Sequence, residues 1–314
     1  MKVMRLGHVR LRVLNLEEAL EHYRDTLGLL ESHRDPDGTA YLRGWDEWDL
    51  YSIVLRQADQ AGIVDLAFKV ESDADLDGFR ERIEAAGFDA DIVEAGDLPF
   101  CGRALRTTIP SGHVLHLYAE KKFVGRATGT LNPEPWPDGL KGAGVHWLDH
   151  VMLMCEVDPA AGVNKVAENV AFFRDVLDFG LSEQVMAGPE GDFQAAAWMF
   201  CTTTPHDIAF GAGSVAGMHH VSFFLDEWCD VLKTADILAK RRVKVDVTPQ
   251  RHGITRGATT YFFDPSGNRN ETFAGLGYMT QKDMPTITWN EENLWRGIFY
   301  HTGDQIGDFL GVYT

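Results

Sequence analysis

Cysteine is scarce in this sequence, and so is positive charge. Only four of the 314 residues are cysteine, at positions 101, 155, 201 and 229. No two of them form a CxxC pair, which excludes a zinc site built from closely spaced thiolates. Four scattered cysteines in a chain this long do not make a disulfide framework either. They read as small buried residues. Lysine and arginine number 29 against 47 acidic residues, a formal net charge of -18. A balance this acidic leaves no basic patch for nucleic acid or an anionic membrane, so neither is expected as a partner. It also favours a neutral small-molecule ligand over a strongly anionic one. Long apolar runs are absent: none reaches the roughly 20 residues needed to cross a bilayer. The opening Met1-Lys2-Val3-Met4-Arg5 enters patterned sequence without the apolar core of a signal peptide, which points to the cytoplasm.

What the sequence does have is a copy of itself. Gly7-His8-Val9-Arg10-Leu11-Arg12-Val13 matches Asp149-His150-Val151-Met152-Leu153-Met154-Cys155, and Tyr23-Arg24-Asp25-Thr26-Leu27 matches Phe173-Arg174-Asp175-Val176-Leu177. Further on, Gly62-Ile63-Val64-Asp65-Leu66-Ala67-Phe68 matches Gly217-Met218-His219-His220-Val221-Ser222-Phe223, and Pro110-Ser111-Gly112-His113 matches Pro265-Ser266-Gly267-Asn268. The offset grows from 142 to 150 across an insertion near Pro159-Ala160-Ala161-Gly162, then holds at 155. Chance does not preserve order and a constant late offset; a duplicated unit does.

Each copy reads strand, helix, then several strands. Apolar and β-branched residues surround His8 and His150. Asn15 with Glu18 three residues on has the spacing of a helix cap, and Leu16, Ala19, Leu20, Tyr23 and Leu27 follow at helical spacing. Val166, Val170, Phe173 and Leu177 repeat that stripe. A second helix is expected at Leu76, Phe79, Ile83 and Ala86, closed by Gly87, and its copy at Val231, Leu232, Ala235 and Leu238. These stripes are core packing. The expected organisation is α+β with two domains, residues 5–120 and 147–275. A Pro- and Gly-rich connection over 121–146 joins them. The tail, 276–314, has no counterpart in the first copy. It carries Trp289, Trp295, Phe299, Tyr300, Phe309 and Tyr313, too many aromatic residues for a disordered segment, so it should pack back near the second domain.

Three residues of the second copy stand out chemically. His150, His220 and Glu271 lie in strand-like segments, and two imidazoles with one carboxylate form the facial set of non-haem Fe(II) oxygen enzymes. Spacing alone leaves this set weakly specified, because His219 adjoins His220. Strand alternation sends neighbours to opposite faces, so only one of the two should face a metal.

The block Arg251-His252-Gly253-Ile254-Thr255-Arg256-Gly257, followed by Thr260-Tyr261-Phe262-Phe263-Asp264-Pro265-Ser266-Gly267-Asn268-Arg269-Asn270-Glu271, resembles the signature of the type I extradiol dioxygenases. The resemblance runs through essentially the whole chain and is strongest to the catechol 2,3-dioxygenases. It implies the duplicated vicinal oxygen chelate fold, of the glyoxalase and dihydroxybiphenyl dioxygenase kind, with two domains each of paired βαβββ modules and a metal only in the second. It implies metal ligation by His150, His220 and Glu271, with Fe(II) preferred to Mn(II). Acid–base and hydrogen-bonding roles fall on His206, His252 and Tyr261. Thr255, Ile298 and Phe309 should line the substrate pocket, with Trp198 and His301 as further candidates. The implied partners are a catechol and dioxygen, the implied product 2-hydroxymuconate semialdehyde, and the implied assembly a homotetramer.

In the first copy the ligand positions are matched by His8, Asp65 and His116, a set that could itself bind a divalent ion. The positions matching His206, His252 and Tyr261 are Tyr51, Asp97 and Arg106, which leaves no acid–base pair. A relic of duplication is the favoured reading there. Three other functions compete for the whole chain. One is an extradiol dioxygenase for a substituted catechol such as a dihydroxybiphenyl or homoprotocatechuate. Another is a metal-dependent lyase or isomerase of the same superfamily, and the last is a module that only binds a small ligand.

Overall fold

The computed structural model describes all 314 residues. The first half contains β1 (Val3–Val13), α1 (Leu16–Leu20), β2 (Leu30–Arg34), β3 (Ala40–Arg43), β4 (Ile53–Gln57), β5 (Gly62–Val70), α2 (Asp73–Ala85), β6 (Ala90–Val93), β7 (Ala104–Thr108) and β8 (Val114–Tyr118). The second contains β9 (Leu148–Asp158), the short β10 (Val163–Asn164), α3 (Lys165–Asp175), β11 (Gly180–Ala187), β12 (Phe193–Phe200), β13 (Ile208–Gly213), β14 (Gly217–Leu225), α4 (Trp228–Lys240), β15 (Val245–Arg251), β16 (Ala258–Phe263) and β17 (Arg269–Ala274). The tail adds β18 (Ile287–Asn290) and α5 (Leu294–Ile298).

The two sheets repeat one topology. The first runs β2-β3-β4-β1-β5-β8-β7-β6, and the second runs β15-β16-β17-β14-β9-β13-β12-β11-β18. Read from the other end, the second is the first with β18 added. Each sheet is a pair of βαβββ modules joined through their leading strands, β1 with β5 and β9 with β14. Register repeats as well. Ala67 faces His116 as Ser222 faces Glu271, and Arg106 faces His116 as Tyr261 faces Glu271. The alignment inferred from sequence is thus the alignment of the strands.

Local chemistry accounts for the helices. The Asn15 side chain accepts from the backbone N–H groups of Glu17 and Glu18, satisfying two donors at the start of α1. The helix then continues as a wider, π-type turn over Glu21–Thr26. Asn164 caps α3 in the same way. Gly87 ends the α2 segment with φ of +86°, a conformation that costs glycine little. In α4 the buried face is Val231, Thr234 and Leu238; Leu232, assigned to the core stripe from sequence, is exposed.

One continuous apolar core spans both halves. Phe173 of α3 packs edge-on against Phe68 of β5, Phe179 and Phe210. Polar ties cross the same boundary: His22 Nε2 lies 2.8 Å from Asn270 Oδ1, and the Tyr23 hydroxyl bonds Asp264. Residues 121–146 contain no regular element, although Lys121 and Val145 at the two ends are buried. β14, β16 and β17 are buried on both faces. One face meets the core, and the other looks into a cavity closed by the tail.

Candidate active site

His150 on β9, His220 on β14 and Glu271 on β17 come from three adjacent strands. Glu271 Oε2 lies 2.9 Å from His150 Nε2 and 3.3 Å from His220 Nε2, and the two Nε2 atoms are 3.3 Å apart. All three side chains are almost fully buried. First-row metals bind nitrogen and oxygen at roughly 2.1 Å, so three ligands on one octahedral face stand about 3 Å apart. The observed separations fit that face. Glu271 Oε2 accepts no well-formed hydrogen bond, and a buried carboxylate oxygen of this kind needs a cation. The residues therefore fit a divalent metal.

Their electrostatics agree. Burial would raise the Glu271 pKa, but His150 and His220 outweigh it and hold the carboxyl well below its usual range. Burial lowers the His220 pKa strongly, leaving the neutral imidazole that a metal requires. For His150 burial also acts downward, but Glu271 and Asp149 together raise it to about 9.

The rings are aimed from behind. His150 Nδ1 donates to Asp149 Oδ2 at 2.7 Å, which turns the lone pair of Nε2 toward the cluster. For His220 the orienting group is His219. Its Nε2–H donates to the Phe309 carbonyl at 2.8 Å, so its Nδ1 is an acceptor, 2.7 Å from the Nδ1–H of His220. Simple alternation does not separate these neighbours, because a bulge interrupts the β14–β9 register between Met218 and His220. The extra residue brings His219 behind its neighbour instead of onto the opposite face.

The remaining polar residues converge on the same point. His252 follows β15; its Nδ1–H donates to the Ile298 carbonyl, which leaves Nε2 an acceptor 2.9 Å from the Tyr261 hydroxyl. That Nε2 lies 3.4 Å from Glu271 Oε1, which accepts from the Thr259 hydroxyl. Burial raises the Tyr261 pKa well above 10, so the phenol keeps its proton. His206 precedes β13, with its ring centroid 3.9 Å from that of His150. Burial, then the neighbouring His150, lowers its pKa well below 6.5 and keeps it neutral.

These residues border a cavity of about 120 Å³ whose remaining walls are largely apolar, including Met152, Val185, Trp198, Phe273, Ile298 and Phe309. Thr255 is part of the wall, with φ of +60°. No lysine or arginine lines it.

Residues 147–272 match the model of the glyoxalase/bleomycin resistance protein/dioxygenase superfamily, and residues 65–122 match the catechol 2,3-dioxygenase-like N-terminal domain. The chain is 43% identical, over 99% of its own length and of the relative's, to a metapyrocatechase of Pseudomonas sp. (strain CF600). It belongs to the extradiol dioxygenase family. The crystal structure of the 2,3-dioxygenase LapB from Pseudomonas sp. KL28 matches with a TM-score of 0.87 and 40% identity, covering 93% of this chain and 99% of that one. A manganese-dependent 2,3-dihydroxybiphenyl 1,2-dioxygenase of Geobacillus genomosp. 3 is 28% identical over 96% of this chain and 94% of its own. Homoprotocatechuate 2,3-dioxygenase from Brevibacterium fuscum, in complex with 3,4-dihydroxyphenylacetate, superimposes with a TM-score of 0.85 at 25% identity, covering 98% and 92%.

Within this extradiol dioxygenase one sequence-derived site residue falls elsewhere. His301 is exposed and packs edge-on against Trp228, outside the cavity. Its neighbours Ile298 and Phe309 turn inward, but the chain between them loops over the surface. Asp149 and His219, which orient the rings of the two candidate ligands, were not identified from sequence as supports. The signal was present, since each stands immediately before its ligand.

The first half of the extradiol dioxygenase uses the matching positions differently. Asp65 is held by the Arg10 guanidinium, with Nε 2.7 and 2.8 Å from the two carboxylate oxygens. Arg10 occupies the position that is Met152 in the second half. Lys121 Nζ lies 3.0 Å from His8 Nδ1 and donates to the carbonyls of Gly7 and Tyr51. His116 is 3.8 Å from Asp65. The carboxylate is thus neutralised by the Arg10 guanidinium, and the imidazole of His8 is engaged by the Lys121 amine.

Proposed function

We propose that this extradiol dioxygenase cleaves catechol or alkylcatechols beside their two hydroxyls, giving 2-hydroxymuconate semialdehyde-type products during breakdown of aromatic hydrocarbons. The observation that carries the substrate class is the cavity wall. It offers apolar surface for a ring and no cation for a carboxylate. Arg296, the nearest candidate for such a cation in the tail, is exposed and stacks on Tyr300 instead. This disfavours a homoprotocatechuate-type substrate. The small volume favours a single ring over a biphenyl.

His150, His220 and Glu271 would hold the metal. We assign Fe(II) over Mn(II) because two imidazoles and one carboxylate with open positions are the set of non-haem iron oxygen enzymes. Bound iron would supply an electronic link between the ring and dioxygen. The protein's task is to place protons. His252, with Nδ1–H committed to Ile298, would accept a catechol proton at Nε2 once the Tyr261 hydroxyl that donates to it turns to the substrate. Tyr261, kept protonated, donates to a substrate oxygen. His206, neutral beside His150, is placed to hydrogen-bond dioxygen and pass a proton during ring opening.

We further infer a homotetramer, supported by the exposed apolar residues Phe123, Leu131 and Trp136 of the connecting segment. We also infer a cytoplasmic location, which suits four unpaired cysteines. The test is oxygen uptake by protein loaded anaerobically with Fe(II) or Mn(II), on catechol, 4-methylcatechol, homoprotocatechuate and 2,3-dihydroxybiphenyl. Greatest kcat/KM on the first two, with iron, is the expected result. Preference for the carboxylated or biphenyl ring would overturn the substrate assignment.

A further inference from the structure

Glu183 of β11 is a fully buried carboxylate with no basic side chain beside it. Three donors satisfy it instead: the backbone N–H of Thr255, the Tyr278 hydroxyl and the Trp289 indole N–H, each at 2.6 Å. Three short bonds to one carboxylate offset much of its desolvation. The donors come from two segments far apart in sequence, the loop after β15 and the tail. Position 183 corresponds to His33 of the first half, and β2 and β11 carry a bulge at the same point, between Glu31 and His33 and between Leu181 and Glu183. His33, however, is partly exposed and pairs only with Asp35. The carboxylate therefore belongs to the half that holds the candidate metal site.

Its reach extends to His252. The Trp289 ring packs on Gly253 and Gly297 so closely that a Cβ at Gly253 would lie 3.0 Å from it. Beneath the ring, the N–H groups of Gly253 and Ile254 both donate to the Gly297 carbonyl, at 2.7 and 2.9 Å. The next carbonyl, that of Ile298, receives the Nδ1–H of His252.

We propose that Glu183 is a positioning residue whose carboxylate latches the tail to the loop after β15 and so aims His252 Nε2 at the substrate. The proposal rests on the ring-cleaving function proposed above. Glutamine at 183 keeps the shape but has one acceptor oxygen, and its NH2 group confronts a donor, so at least one bond of the latch is lost.

The test compares wild type, Glu183→Gln, His252→Phe and the double variant, each loaded with Fe(II). Metal content of Glu183→Gln should match wild type. Its kcat/KM on catechol should fall about tenfold to a hundredfold, the scale of a displaced catalytic group. The double variant should be no slower than His252→Phe alone, because both changes remove one function. Amide exchange at 253–255 should quicken in Glu183→Gln. Independent losses in the double variant, or unchanged exchange and turnover in Glu183→Gln, would overturn the proposal. If Glu183→Gln fails to fold, Trp289→Phe, which keeps a ring and removes one donor, should show the same changes at smaller size; wild-type behaviour there would overturn it. If wild type turns over no catechol, the proposed function fails, while the exchange measurement still decides whether the latch exists.

Discussion

His219 and His220 show how much one inserted residue changes a site. Alternation along a regular strand would put the pair on opposite faces; the bulge in β14 puts His219 behind its neighbour, tied to the Phe309 carbonyl. His220→Ala should abolish metal binding. His219→Ala should retain it with affinity reduced about tenfold to a hundredfold, the usual cost of losing an orienting partner. Equal loss in anaerobic Fe(II) titrations would contradict this assignment. His206 and His252 should also separate. His252→Phe should weaken catechol binding or deprotonation before oxygen is added. His206→Phe should bind catechol anaerobically with near-normal affinity, then slow after mixing with oxygen or release hydrogen peroxide. A lost acid–base group costs about a hundredfold to ten-thousandfold. Normal single-turnover rates in His206→Phe would remove it from the mechanism. At this scale the motif named His150, His220 and Glu271, and the fold brings their side chains within 3.3 Å of one another. The sequence misled at His301, where being near Ile298 in sequence says nothing about which way an irregular turn faces.

Among elements, the duplicated strands and helices were readable because burial imposes a period on them. The stripes from Leu16 to Leu27 and from Val166 to Leu177 both became helix, though the first widens into a π turn that no periodicity announces. β18 was not readable. Its four residues pair with β11 through the backbone, from Glu183–Ile287 to Met186–Asn290, and backbone pairing leaves little trace in side-chain pattern. α3 should be the element on which the two halves most depend, since Phe173 is fully buried against Phe68 of the first half and Phe179 and Phe210 of the second. Phe173→Ala should cost about 3–5 kcal/mol of stability, read as a lower urea midpoint with unchanged slope. A loss below about 1 kcal/mol would show that this packing collapses around the gap.

For the whole molecule, one fold carries two different solutions to a buried polar cluster. The second half offers a candidate metal face; the first half places Arg10 on Asp65 and Lys121 on His8. Burial, only partly offset by Cys101 and Asp49, lowers the Lys121 pKa from 10.5 to about 7. The folded state then releases this proton near pH 7 and the unfolded state near 10.5. The burial penalty is complete below about pH 7 and fades as pH rises toward 10.5. Stability of wild type relative to Lys121→Met should therefore rise with pH across that window, measured by urea unfolding at several pH values. A flat or falling difference would contradict the shifted amine.

The central proposal is that His150, His220 and Glu271 hold the iron on which ring cleavage depends, with Glu271 as the only negative protein ligand. The most direct measurement is iron content together with single-turnover ring opening of catechol in Glu271→Ala, purified and loaded anaerobically beside wild type. The account predicts a folded variant with little bound iron and no ring-opened product. Near-normal iron and product in that variant would contradict it.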